Sequence, residues 1–265
     1  MTRQAMPICI DTHVHLYPRF DLAKTLDAAV TNMQRDATAQ PPAPCLMLTE
    51  TISDNRFLAL RDGEAVPGWR IAPSDEAALL LTREDGATLR LFAGGQTNTA
   101  ERVEVLTLGT TQRLDDGQPL DATIDQAIET GGVVVLPFGL GKWFGRRAQL
   151  IAQAFEKYHG RGLRLGDNAG RPRGTGTPAL FKRSERLGHA VLPGSDPLNT
   201  ALGQTAAGRF SMTLNASFDP ALPTESIRRV LREAPHPART LGRRVSLVRC
   251  VREQCLLRIE KRRAR

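Results

Sequence analysis

Apolar runs of strand length alternate with longer amphipathic stretches over most of the chain. Ile8, Cys9 and Ile10 form a short buried-strand run, and Leu22, Leu26, Val30 and Met33 then recur at helical spacing until Pro41, Pro42 and Pro44 force a break. "CLMLTE" (Cys45 to Glu50) reads as a second strand. "AALLLTREDGATLRLFAGG" holds two apolar runs joined by Asp85-Gly86, a hairpin signal, and "VEVLTLG" alternates as a further strand. This stretch, about residues 68–109, predicts an antiparallel meander. Leu120 to Thr130 reads as a helix stopped at Gly131-Gly132, "VVVLPF" as a buried strand, and Phe144 to Tyr158 as a helix with Ala148, Ile151, Ala152 and Phe155 on one face. "LRLGDN" and "AVLPGSD" complete the strands. Strands separated by helices predict a largely parallel sheet or an incomplete barrel, and no repeat of fixed period is visible.

In such folds the chemistry sits at the carboxyl ends of the strands. Those ends carry His13 and His15, then Glu50, then Leu136 and Pro137, then Asp167 and Asn168, then Ser195 and Asp196. Residues i and i+2 of a strand share a face, so His13 and His15 can turn toward one ion. Two imidazoles with one or two carboxylates suit zinc, manganese or iron. The bland alternative is a pair of satisfied polar residues at a strand end. Asp21 suits the N-cap of the helix that begins at Leu22, and Gln96 and Thr51 read as turn residues. Lys142 and Arg171, near "GLGKW" and the glycine- and arginine-rich "GRGLRLGDNAGRPRGTGTP", are candidates for binding an anion, with Asp167 and Asn168 beside them. "GLGKW" lacks the spacing and the Ser or Thr of a nucleotide P-loop.

Composition narrows the picture. With 265 residues, 41% hydrophobic and 24% charged, the chain is globular and long enough to bury a core without disulfides. No leader-like segment or membrane-length apolar run is present, which predicts a cytoplasmic protein with reduced cysteines. The net charge of +8 is uneven: residues 227–265 carry 13 Lys or Arg against 3 acids, whereas the preceding residues carry 23 against 25. Leu241, Val245, Val248, Val251, Cys255 and Ile259 fall on one helical stripe, predicting a basic helix packed on the body, with an acidic protein partner as the alternative. No aromatic residue occurs between Leu241 and Arg265, so nucleic acid is not expected as a partner.

The order of these segments resembles the PHP (polymerase and histidinol phosphatase) superfamily. "THVHLYPRFD" looks like its first motif, with a third ligand position falling on Asp21, and "LTETISDNRFL" like its second, a strand ending in Asp-His. "AGGQTNTAERVEVLTLG" is similar to the third, "GGVVVLPFG" to the fourth, which ends in His-Pro, and "LPGSDPL" to the last, Gly-Ser-Asp-x-His. The resemblance runs over roughly residues 7 to 200. It implies an α/β fold with a distorted, incomplete (β/α)7 barrel over residues 1–222, to which the charge and the helical stripe add a basic helical extension over residues 223–265. It also implies a metal-dependent hydrolase, most plausibly a phosphoesterase. The departures are specific: Glu50-Thr51 replace Asp-His, Gln96 replaces a glutamate, and Leu106, Leu136 and Leu198 stand where the family has histidines. Three leucines remove the donors that a multinuclear cluster requires. What remains predicts a single divalent ion held by His13, His15, Glu50 and Asp196, with Asp196 also the base. The competing expectation is a non-catalytic relative that binds an anionic ligand or a protein.

Overall fold

The computed structural model describes residues 5–35, 41–236 and 238–263. The chain runs through β1 (Ala5–Val14), α1 (Leu22–Gln34), β2 (Ala43–Leu48), α2 (Arg56–Arg61), β3 (Trp69–Asp75), β4 (Ala78–Arg83), β5 (Thr88–Phe92), β6 (Gly94–Asn98) and β7 (Glu104–Leu108). It continues through α3 (Leu120–Glu129), β8 (Val133–Pro137), α4 (Gly145–Tyr158), β9 (Arg164–Asn168), α5 (Ala179–Arg186), β10 (Leu192–Gly194), β11 (Phe210–Ser217), α6 (Pro223–Glu233), β12 (Arg239–Gly242) and α7 (Leu247–Arg263).

These strands form two separate sheets rather than the incomplete barrel expected from the sequence. One has seven strands in the order β12-β11-β1-β2-β5-β4-β3, the other five in the order β10-β9-β8-β7-β6. Among the named strands of the described residues, only β1–β2, β2–β5, β8–β9 and β9–β10 pair in parallel. A βα barrel needs parallel neighbours throughout, and here antiparallel β11 and β12 extend one side of the first sheet while β3 and β4 extend the other. The predicted meander is likewise divided. β3, β4 and β5 do form one, with a turn in which Gly86 takes φ +88°. The chain then crosses at Ala93 to the second sheet, where β6 and β7 pair antiparallel.

The core is layered. Cys9, Leu46, Leu48, Leu79 and Leu91 face α1 on one side of the first sheet, while Ile8, Ile10, Cys45 and Met47 turn the other way and meet Leu106, Val133, Val135 and Leu192 of the second. The far side of the second sheet packs Val134, Leu136 and Leu165 against Ile124 of α3, Phe155 of α4 and Phe181 of α5. The alternation of neighbouring residues between two apolar layers explains why β1, β2 and β8 read as continuous hydrophobic runs. Asp21 caps α1, accepting the Lys24 N–H at 3.2 Å, as its position before Leu22 predicts. Cys9 and Cys45 are free and buried, and burial pushes both thiols up to about 12.

The C-terminal stripe does not pack as expected. Leu241 lies in β12, and on α7 Leu247, Val248 and Val251 are 63%, 80% and 55% exposed, whereas Cys250 and Glu253 are buried. The stripe breaks because Gly242, paired with Phe210, takes φ +78° and ends the strand before the helix begins. The side chain of Ile259 lies outside the described residues. Among the described residues no helix is long and apolar enough to cross a membrane.

Candidate metal centre

The two sheets meet where β1 and β10 end, and Asp11 ties that seam. Its fully buried carboxylate accepts backbone N–H groups from His13 at 3.2 Å, Ser195 at 2.9 Å and Gly208 at 2.7 Å. Burial pushes its pKa up to about 7 against the pull of those donors. Thr12 donates to the Pro193 carbonyl at 3.0 Å, and Asp196 N–H donates to the His13 carbonyl at 2.8 Å. A strand of the first sheet is thereby locked beside a strand of the second, with His13 and Asp196 side by side.

Gly194 makes this contact possible. A Cβ at that position would stand 2.3 Å from His13 Cβ and 2.8 Å from His13 N. Gly194→Ala should therefore cost about 1–3 kcal/mol by overpacking, visible as a lower unfolding midpoint in urea. An unchanged midpoint would show that the seam tolerates a methyl group.

His13, His15 and Asp196 form the one group of three or more potential metal-ligating side chains found among the described residues. His13 Nε2 lies 3.2 Å from His15 Nε2, and Asp196 Oδ1 lies 3.5 Å from the first and 3.7 Å from the second. Donors bound tetrahedrally at ~2.1 Å to one ion are ~3.4 Å apart, so the donor set fits a single zinc-sized cation. Burial pushes both imidazoles down to about 4, which favours the neutral form that a metal ion requires. Burial pushes Asp196 up to about 6, moderated by His15. Its backbone φ of 45° is left-handed, a conformation that costs about 1–3 kcal/mol. That turn aims the carboxylate at the imidazoles.

The surroundings are uneven. Asn168, as the sequence predicts near this rim, donates to Asp196 Oδ2 at 2.9 Å and to the Phe138 carbonyl at 2.7 Å, fixing one carboxylate oxygen. Tyr17 stacks on His15 with ring centroids 5.4 Å apart. The Nδ1 atoms of His13 and His15 are buried and have no hydrogen-bond partner among the described residues. Metal-binding histidines ordinarily donate that second N–H, and losing such a partner costs about 10- to 100-fold in affinity. An ion here would rest on its direct donors and on ring packing, without support at Nδ1 from the described residues.

The other sequence candidates separate. Glu50 is buried but stands outside the three-residue group: one oxygen accepts the Phe57 N–H at 2.9 Å, the other pairs with Arg113. Asp167 and Arg171 form a two-bond ion pair at 2.7 and 2.6 Å, which uses the guanidinium fork within the loop after β9. Lys142 does reach the cleft beside the centre, where it pairs with Glu104. Leu106 and Leu136 are buried among other apolar side chains, and Leu198 lines the cleft.

Two residues at the site have roles that their sequence context conceals. Gln96, readable as a turn residue, lies on β6 and places Oε1 3.2 Å from His13 Nε2. Glu104 opens β7 and lines the cleft. Its partner Lys142 is 38 positions away, and no local pattern marks the pair.

No known family profile matches the chain, and no curated protein matches it. Solved structures do. PsfC from Pseudomonas syringae PB-5123 is similar at a TM-score of 0.57 and 16% identity, over 98% of this chain and 100% of that one. Endonuclease Q from Pyrococcus furiosus, a lesion-specific endonuclease and PHP-superfamily member, is similar at 0.51 and 9% identity, over 89% of this chain and 58% of that one. An Endonuclease Q complex with a 27-mer duplex carrying an abasic lesion gives 0.52 and 10%, over 89% of this chain and 60% of that one. The chain thus spans about three fifths of the endonuclease. At these identities the likeness is one of fold, shared with PsfC and with Endonuclease Q.

Proposed function

We propose that this protein is a metal-dependent hydrolase that cleaves a phosphoester using one divalent ion held by His13, His15 and Asp196. The observation that carries the reading is the convergence of two neutral imidazoles and one carboxylate, 3.2 to 3.7 Å apart, beside a cleft of about 690 Å³ that Asp196 lines. A divalent ion bound there supplies a Lewis acid that makes water a nucleophile at neutral pH. Asp196, whose Oδ2 accepts from Asn168 at 2.9 Å and is held in position by it, would accept the proton from a water in the cleft. Lys142, beside Glu104, offsets the charge of the incoming phosphate. The Asp167–Arg171 ion pair lies beside Asn168, Ala169 and Gly170, which line the cleft. The site lies at the seam of the two sheets, where both imidazoles are buried and Asp196 borders the cleft.

Asp196→Asn should lower hydrolysis of p-nitrophenyl phosphate by about 100-fold or more, the scale of a lost general base and ligand. The assay uses protein supplied in turn with zinc, manganese and iron, and EDTA should abolish the activity. Equal turnover by the variant would remove Asp196 from the mechanism.

A second reading is a non-catalytic anion-binding protein. It is favoured by Leu106 and Leu136, whose side chains are committed to apolar packing where the family resemblance has ligands. Failure of every metal to support turnover, with anion binding intact, would select it. The expectation against nucleic acid also needs a direct test, since Endonuclease Q has been captured on a DNA duplex.

A further inference from the structure

The cleft that reaches Asp196 is much more basic at its other end. Its wall there carries Arg35, Arg173, Arg209, Arg243, Arg244 and Arg249. They come from the end of α1, the loop after β9, the start of β11 and the segment from β12 into α7. Only Arg249 has a carboxylate partner among the described residues, Glu253 at 2.7 Å. Arg35 donates to Asn32 at 2.9 Å, and Arg244 to the Pro172 carbonyl at 3.4 Å. Arg209 is half-buried, and its guanidinium pKa is lowered by burial and by the neighbouring charges of Arg249 and Arg35, which Glu253, on the same wall, offsets only in part. Like charges gathered in a concave, partly desolvated wall repel one another unless an anion lies between them.

The wall is built on fixed backbone. Val245 N–H donates to the Ala169 carbonyl at 2.8 Å, and Arg173 N–H to the Val245 carbonyl at 2.9 Å, so the C-terminal segment is tied to the loop that follows Asn168. Gly242 permits the close pass: a Cβ there would lie 1.8 Å from the Arg209 carbonyl oxygen. The basic tail therefore forms part of the site, which makes its charge a property of the cleft.

Two observations set the size and kind of the anion. The volume, about 690 Å³, is that of a small-molecule site. Among the described residues no aromatic side chain lines it, so they offer no platform on which a base could stack. We propose that the arginine wall binds a second anionic group of the substrate. The preferred substrate is then a small non-aromatic phosphate monoester bearing a further phosphate or carboxylate. This rests on the hydrolase reading for the bond that breaks: water adds to phosphorus, the P–O ester bond opens, and the alcohol leaves with a proton as inorganic phosphate is released. The arginine wall takes no part in that exchange and fixes the remote end.

The test separates the wall from the chemistry. Calorimetric titration of the full chain with inorganic pyrophosphate, in EDTA, should give binding that weakens at least tenfold in Arg209→Gln and in Arg244→Gln. The exposed Arg243→Gln serves as the variant least able to disturb folding and should weaken binding severalfold. Equal binding by wild type and all three variants would overturn the proposal whatever the hydrolytic result. With metal restored, a hexose bisphosphate and 3-phosphoglycerate should each exceed glycerol 3-phosphate in kcat/KM by at least tenfold, and Arg209→Gln should erase the preference. The larger gain of the two identifies the second group as phosphate or carboxylate. Arginine-dependent pyrophosphate binding without turnover would sink the hydrolase reading and leave the wall standing. A single-stranded oligonucleotide that binds more tightly than pyrophosphate, and loses affinity in the same variants, would overturn the assignment to a small substrate.

Discussion

Asp11→Ala is expected to unfold much of the protein at room temperature. The carboxylate satisfies three buried backbone N–H groups, on His13, Ser195 and Gly208. Each buried donor left without a partner costs about 1–3 kcal/mol, so the variant should lose about 3–9 kcal/mol. Net stabilities of single domains are about 5–15 kcal/mol, which puts the loss close to the whole. Asp11→Asn keeps one carbonyl oxygen as acceptor and should lose less. Urea unfolding followed by circular dichroism measures both, and a midpoint for Asp11→Ala within error of wild type would show that the seam does not depend on this side chain.

The second large effect is on function, with the opposite consequence for stability. His13→Ala with His15→Ala should remove metal binding and reduce hydrolysis to background, because the one group of metal-ligating side chains found among the described residues loses two of its three members. Without metal, the same double variant should be nearly as stable as wild type. Truncating a buried ring leaves a cavity, which costs stability. Here it also removes two Nδ1 atoms that are buried without partners, each a cost to the folded state. The two effects oppose, as at a site arranged for binding rather than for folding. A loss as large as that expected for Asp11→Ala would mean that the imidazoles serve the core.

Much of the local structure was legible because local physics determines it. α1 is announced by apolar residues at helical spacing, an aspartate cap and a proline break, and α3 by its closing glycines. The Asp85-Gly86 turn is announced by its chemistry. The pairing of strands was not legible. β6, "GGQTN", has neither alternation nor an apolar run, so nothing in it shows that the chain changes sheet at Ala93. The stripe from Leu241 was misleading because helical spacing continues in the sequence through a residue, Gly242, whose backbone pairs with a strand. This is also why a barrel was expected: segment order conveys strands and helices but does not convey which strands are neighbours.

The site divides along the same line. His13 and His15 flank Val14 at the end of β1, and Asp196 follows an apolar strand, so all three could be proposed from position. Gln96, the Glu104–Lys142 pair and the arginine wall draw on residues scattered along the chain, and only the fold assembles them. Glu50 illustrates the converse. Its place after an apolar strand is that of a ligand, but Arg113, 63 positions away, occupies its carboxylate.

The account turns on whether three donors can hold an ion without the partners replaced at Leu106, Leu136 and Leu198. Metal analysis by mass spectrometry, after incubation with zinc, manganese or iron and removal of excess by desalting, decides it. Wild type should retain one equivalent of at least one metal, and the His13→Ala/His15→Ala variant none. No retained metal in wild type, or the same metal in both, would contradict the account.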